Sequence, residues 1–286
     1  MLLQEPKPVI ATDVDGILIK WQSGLPYFAQ KYNLPLDEIL KTIANDSFVA
    51  PAKLFNCSEE FASKLLLKYN NSDFIRYLSA YDDALKVVNE LKKTYDFVAV
   101  TALGNSVDAH LNRQFNLNAL FPDAFKDIFV CDYNESKDHL LTRVLEKYGD
   151  RCVCYVDDLG KHIDSATEVF IGSVKDFKTF YLPRGERDHL PKYSGSAHMT
   201  VKNWYEIKDI LMSEITSGFV KKLQEMLVEE KPNPAYQLPH FFDPDSSPFG
   251  PRPHFFDPYD GRRAPNWPNY STEYLSNRPT AVNVKV

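Results

Sequence analysis

Four short stretches of this sequence carry residues that could work on a phosphate, and each closes or follows an apolar run. Asp13-Val14-Asp15-Gly16 comes directly after Pro8–Thr12 (PVIAT), and Thr101 closes Val98-Ala99-Val100. Lys137 opens a helical stretch shortly after Asp127–Cys131 (DIFVC), and Asp157-Asp158 closes Cys152–Val156 (CVCYV). Brought together, these stretches would gather carboxylates, one lysine and one hydroxyl. Unpaired carboxylates repel one another, so such a cluster calls for a cation. An oxygen-only site with few protein ligands suits magnesium. A carboxylate can attack phosphorus to give an aspartyl-phosphate. A second carboxyl two residues further on can protonate the leaving oxygen and later activate water. Metal and lysine then offset charge on the equatorial oxygens. Gly16 allows the tight turn that follows the first carboxylate. Lys161 competes with Lys137 for the lysine role.

The elements that must position these residues follow from the same pattern. The apolar runs at 8–12, 97–101, 127–131, 152–156 and 177–182 predict buried strands. Amphipathic stretches separate them. Leu36 to Lys68 is helical in texture, with Leu36, Ile39, Leu40 and Ile43 on one stripe and Phe61, Leu65 and Leu66 continuing in a second segment. Asp82 to Lys93 and Lys137 to Tyr148 predict further helices, and Asn203 to Glu230 a long one with a stripe at Trp204, Ile207, Leu211, Ile215, Phe219, Leu223 and Met226. Strands separated by helices predict an α/β fold with a mainly parallel sheet. In such sheets ligands bind beyond the carboxyl ends of the strands, so all four stretches converge on one crevice.

This ordered set resembles the haloacid-dehalogenase (HAD) superfamily over about residues 8–210. DVDGIL looks like its first motif, Thr101 its second, Lys137 its third and Asp157-Asp158 its fourth. The resemblance implies a Rossmann-like core with a helical cap inserted after the first strand. It implies Asp13 as nucleophile and Asp15 as general acid/base, with Thr101, Ala102 and Lys137 binding the phosphoryl group. It assigns Mg2+ to Asp13 and Asp157, with a backbone carbonyl from Asp15, and has Asp158 either ligating the ion or supporting its ligands from behind. A second aspartate in the first motif is a feature of the phosphatase branch that the dehalogenase branch lacks.

Within the superfamily the layout looks most like the 5'(3')-deoxyribonucleotidases. DVDGILIKW resembles their first motif, with Trp21 as the following aromatic, and the run Thr200 to Ile207 (TVKNWYEI) resembles their Asn-Trp segment. The resemblance implies a base stacked on Trp21, with Phe28, Phe48 or Phe55 helping, under a cap that limits access to small substrates. Two features depart from that pattern: Ala102 stands where those enzymes usually have serine, and the chain continues into a long arm. The expected organisation is a core at 1–16 and 79–230, a cap at 17–78 and an arm at 231–286.

Composition sets the outer bounds. The formal charge is -6 over 286 residues. That balance argues against broad binding to duplex nucleic acid, which needs Lys and Arg to neutralise phosphates. The four cysteines lack zinc-type spacing and read as reduced structural thiols, so a cytoplasmic location is expected. Of the 19 prolines, 11 fall between Pro232 and Val286, beside a repeat: Pro239 to Pro244 (PHFFDP) recurs at Pro253 to Pro258. Proline disfavours regular helix and central strand there, while aromatic density is unlike a solvated tail. The arm is expected to be extended and to pack on its own domain, a second subunit or a partner. His240 and His254 read as packing residues, since no third ligand completes a metal site. The expected activity is hydrolysis of a small phosphomonoester such as a (deoxy)nucleoside monophosphate. The competing expectations are a polynucleotide-end phosphatase and an assembly protein that retains a HAD core.

Overall fold

Short, mainly apolar runs form the strands β1 (Val9–Thr12), β2 (Asp96–Ala102), β3 (Phe125–Cys131), β4 (Cys152–Asp157) and β5 (Lys178–Tyr181), of which β1, β2 and β4 are the most fully buried. A two-residue strand, β6 (Met199–Thr200), completes the sheet and was not expected from the sequence. The computed structural model describes residues 6–187, 190, 192–195 and 198–229. The arm, with its repeat and both histidines, lies outside the described residues, as do the side chains of Ile215, Phe219, Leu223 and Met226.

All pairings are parallel, in the order β3-β2-β1-β4-β5-β6. Ile10 of β1 enters one buried apolar cluster, while Val9 and Ala11 enter another. β2 alternates likewise, with Phe97 and Ala99 on one side and Val98 and Val100 on the other. Covered faces on both sides explain why these strands read as unbroken apolar runs. The chain builds outward from β1 through β2 to β3, then returns to place β4 on the other side of β1. Ligands bind where the order reverses, at the carboxyl ends of these strands.

Four helices lie between β1 and β2 before α5 (Asp82–Leu91): α1 (Leu25–Tyr32), α2 (Asp37–Ala44), α3 (Pro51–Phe55) and α4 (Glu59–Asn70). Prolines stand in the first turns of α1 and α3, where no backbone donor is lost. The Ser58 hydroxyl caps α4 by accepting from Phe61 N. The stripe expected on α2 is corrected in part. Ile39 is buried, but Leu36, Leu40 and Ile43 are exposed, because α2 turns inward only the edge carrying Ile39 and Thr42.

The remaining helices are α6 (Val107–Leu120), α7 (Asp138–Tyr148), α8 (Gly160–Phe170) and α9 (Trp204–Glu229). Trp204 is fully buried, and its indole N–H donates to Ile17 O at 3.2 Å. The Asn-Trp segment thus braces the turn after β1, and Asn203 Oδ1 accepts from Glu206 N at 3.1 Å in the first turn of α9. All four cysteines are free. No helix among the described residues is long and apolar enough to cross a membrane.

Candidate active site

Strand register aligns the first and fourth motifs. Thr12 pairs with Val156, so Asp13 and Asp157 are the next residues on adjacent parallel strands. Asp13 N continues the ladder by donating to Val156 O at 2.8 Å. On the other side Thr12 pairs with Ala99, which sets Thr101 just beyond the same level. Lys137, at the N-terminal boundary of α7, reaches in between them. Its Nζ lies 2.8 Å from Asp13 Oδ1 and 2.9 Å from Asp157 Oδ2. The four expected motifs therefore meet. Lys161, the competing lysine, is exposed and makes neither contact.

Asp13, Asp157 and Asp158 are buried and can each offer an oxygen within 4.8 Å of the others. Gly16 takes φ +84° in the turn beneath them, and a Cβ there would stand 2.1 Å from Asp158 Oδ2. Only glycine fits that turn without displacing the fourth motif. The Thr101 hydroxyl is buried and has no partner among the described residues. A buried hydroxyl with no partner costs stability, so its presence at a cavity wall points to a ligand oxygen.

Burial pushes the Asp13 carboxyl up to about 6, against the pull of Lys137. Burial acts the same way on Asp157, but Lys137 and His162 outweigh it and hold that carboxyl far below the usual range. His162 Nδ1 lies 3.2 Å from Asp157 Oδ2, Leu159 N donates to Oδ1 at 2.8 Å, and Tyr155 OH donates to Oδ2. Burial also disfavours the charge on Lys137, yet Asp13 and Asp157 together reverse this and raise its pKa. Asp158 is pushed up to about 8 by burial despite Arg187, whose Nη2 donates to its Oδ2. A buried carboxylate set held this far from its ordinary ionisation is chemically matched to a hard divalent cation.

The Asp15 carboxylate lines the same cavity but stands apart from that cluster. Its two oxygens accept from Arg113 Nη2 at 2.6 and 2.5 Å, and Arg113 is fully buried. Burial raises the Asp15 pKa, with Arg113 opposing. The carboxylate of Asp15 is not among the three that cluster, so only its main chain is left for the metal role that the resemblance implied.

A cavity of about 300 Å³ opens over these groups. Asp13, Asp15, Thr101, Ala102, Lys137 and Asp158 form its floor, and Trp21, Phe48, Leu54 and Asn70 contribute from the segment that carries α1 to α4. Trp21 Nε1 donates to Asn70 Oδ1 at 3.0 Å, and Asn70 Nδ2 donates to Leu103 O at 3.0 Å, linking this segment to the end of β2. Phe28 and Phe55 do not line the cavity. Both are buried, and Phe28 packs against Tyr32, Phe55, Tyr69 and Phe74. Apolar residues on the inner side of a helical layer are claimed first by its own core.

No family model matches the chain. It is 54% identical over 207 residues to the uncharacterized 32.4 kDa protein of the Gp30-rIII intergenic region of Enterobacteria phage T4, a match covering 72% of this chain and 70% of that protein. The chain belongs to the same family as that phage protein. Among solved structures, the haloacid dehalogenase-like family hydrolase SP0104 from Streptococcus pneumoniae aligns with a TM-score of 0.50 at 14% identity, covering 72% of this chain and 98% of that one. The magnesium-bound HAD-hydrolase YfnB from Bacillus subtilis aligns at 0.49 and 16%, covering 72% and 99%. The fold of this phage-protein family member is thus the haloacid-dehalogenase-like α/β fold, as the motifs implied.

Sequence reasoning missed four residues at the site: Arg113, Tyr155, His162 and Arg187. Tyr155 sits in the apolar run of β4 and reads as core. His162 follows Asp157 by five residues, which places it one turn into α8, and that spacing was a usable signal. Arg113 and Arg187 lie 98 and 29 residues from the carboxylates they hold, and no local pattern marks them.

Proposed function

We propose that this protein is a magnesium-dependent phosphomonoester hydrolase acting through an aspartyl-phosphate on Asp13. The observation that carries the reading is the meeting of Asp13, Lys137 and Asp157 within hydrogen-bond reach, beside an unpartnered Thr101 hydroxyl. The second aspartate of the first motif, Asp15, favours the phosphatase branch over the dehalogenase branch.

The residues divide the work. Asp13 Oδ attacks phosphorus, and Lys137 keeps that carboxylate ionised and its oxygen aimed into the cavity. Thr101 Oγ1 and the Lys137 ammonium bind the equatorial phosphoryl oxygens, where charge develops. Asp15, oriented by Arg113, gives a proton to the leaving oxygen and then takes one from the water that cleaves the aspartyl-phosphate. A divalent ion held by Asp13, Asp157 and Asp158 would supply further positive charge at the transferred group. Asp157 is kept ionised for that purpose by Lys137 and His162.

The segment at 17–78 serves as a cap that keeps bulk water from the phosphoryl site. Trp21 and Phe48 face the cavity and suit a flat leaving group. A volume of about 300 Å³ holds a small metabolite, which favours a (deoxy)nucleoside monophosphate over a polynucleotide end. A screen over nucleotides, sugar phosphates, phosphoglycolate and a 3'-phosphorylated oligonucleotide tests the assignment. Phosphate release from small substrates with Mg2+ is expected. Asp13→Asn should lower kcat on the order of 10⁴-fold or more, as nucleophile removal does elsewhere. Activity that survives this substitution rules out Asp13 as nucleophile, and turnover of the oligonucleotide alone reverses the choice of substrate.

A further inference from the structure

Three cations divide the four carboxylates at the sheet rim. Lys137 holds Asp13 and Asp157, Arg113 holds Asp15, and Arg187 holds Asp158. The first two cations are locked in place, since their side chains are 1% and 0% exposed. Arg187 differs. It comes from the segment after β5, is 18% exposed and lines the cavity over the site. Its Nε is buried without a partner among the described residues. Its guanidinium carbon lies 3.8 Å from the centroid of the Phe48 ring, so the head group is seated on an aromatic wall of the cavity. Next to it, Phe48 N donates to Glu186 O at 2.8 Å, which ties the two segments together.

Asp158 is also one of the three carboxylates that could share a divalent ion. One carboxylate cannot serve a guanidinium and a divalent ion equally, because the two cations repel at close range. We propose that Arg187 is a cation switch: it neutralises Asp158 until a divalent ion binds there, and the released guanidinium, still resting on Phe48, then binds the anionic group of the substrate. The switch rests on the phosphohydrolase reading of this site. It makes ion and phosphate binding cooperative and gives the unpartnered Nε an acceptor. An ordered sequence follows, with the ion first and the phosphomonoester second.

The experiment uses the full chain as wild type, Arg187→Met and Arg187→Lys, with Mn2+ binding followed by electron paramagnetic resonance and orthophosphate binding by calorimetry. Arg187→Met should bind Mn2+ more tightly than wild type. With Mn2+ saturating, it should bind orthophosphate about tenfold more weakly, within the usual range for coupled sites. Without Mn2+ its orthophosphate affinity should match wild type, since Arg187 is then engaged with Asp158. Arg187→Lys should fall between the two and stands in if the methionine variant does not fold. A phosphate penalty of equal size with and without Mn2+, or none at all, overturns the switch. Failure is separable from failure of the enzymatic reading. A wild type that binds ion and phosphate cooperatively but hydrolyses no phosphomonoester loses the function and keeps the switch. Hydrolysis that depends on Asp13 with an ion-independent penalty does the reverse.

Discussion

Asp13 and Asp157 are both buried and served by the same lysine, and their other partners decide how they divide it. Asp157 keeps the charge, because His162, Tyr155 and Leu159 N add to Lys137. Asp13 is left with a carboxyl raised to about 6 and Asp158 with one raised to about 8. Both sit above their unfolded value, so both favour the folded state while protonated. That contribution is full below about pH 4 and is lost as pH rises through 6 and then 8. A divalent ion binds the ionised forms and competes with protons. Thermal unfolding should therefore show Mg2+ stabilisation that is small at pH 5 and large at pH 8. At a hundredfold excess over the dissociation constant the shift in Tm should reach about 5–10 °C. Equal shifts at both pH values would mean that these carboxylates do not hold the ion. Arg113 offers a second test at this scale. Removing it takes the ion-pair partner from the partly buried Asp15 carboxylate, so Arg113→Met should cost about 3 kcal/mol in urea unfolding. Adding Asp15→Asn should restore much of that loss, and strictly additive costs would show that the pair is not coupled.

At the scale of elements, the helices divide into those that the sequence pattern revealed and those it hid. The five principal strands were legible because apolar residues dominate each run, most completely in β1, β2 and β4, whose faces are covered on both sides. α5 and α7 were legible because their buried faces are apolar stripes. α6 was not, and its packing explains the failure. It buries Asn112, Arg113 and Asn116 while exposing Val107, Leu111 and Phe115. That is the reverse of the usual amphipathic arrangement. The buried polar face is used, however. Asn112 Nδ2 donates to Ser72 O at 3.0 Å and Asn116 Nδ2 to Leu78 O at 3.0 Å, so α6 grips the end of the 17–78 segment. Arg113, on the same face, reaches Asp15. The four motifs were found from sequence because each sits at the end of a legible strand or the start of a legible helix. Arg113 and Arg187 were hidden because one lies on an inverted helix and the other on a loop. Within the 17–78 segment the two aromatics should separate cleanly. Phe28→Ala empties a packed site and should cost about 3–5 kcal/mol of stability. Trp21→Ala should instead raise KM more than it lowers stability, since Trp21 is half-buried and faces the cavity. If Trp21→Ala proves as destabilising as Phe28→Ala with KM unchanged, its ring is core and not a substrate contact.

For the whole molecule, the question is what the proline-rich arm contributes. Among the described residues, the two buried clusters run from Val9 to Leu211. The described site residues fall between Asp13 and Leu190. The first structural unit ends at Glu229, and among the described residues both the apolar clusters and the site residues belong to it. Hydrophobic burial of that extent is what holds a domain of this size together. A chain truncated after Glu229 should therefore fold, melt cooperatively within a few degrees of the full chain, and keep kcat and KM within about twofold. The arm's repeat, PHFFDP at 239–244 and 253–258, presents two aromatic pairs of the kind that anchor interfaces. Its loss should be felt in association, with the sedimentation behaviour of the full chain changing and its activity not. Comparing the two proteins by analytical ultracentrifugation and phosphate release decides the matter. A truncated chain that unfolds or loses phosphate binding would place the arm within the domain, and would move the boundary of the catalytic unit past residue 229.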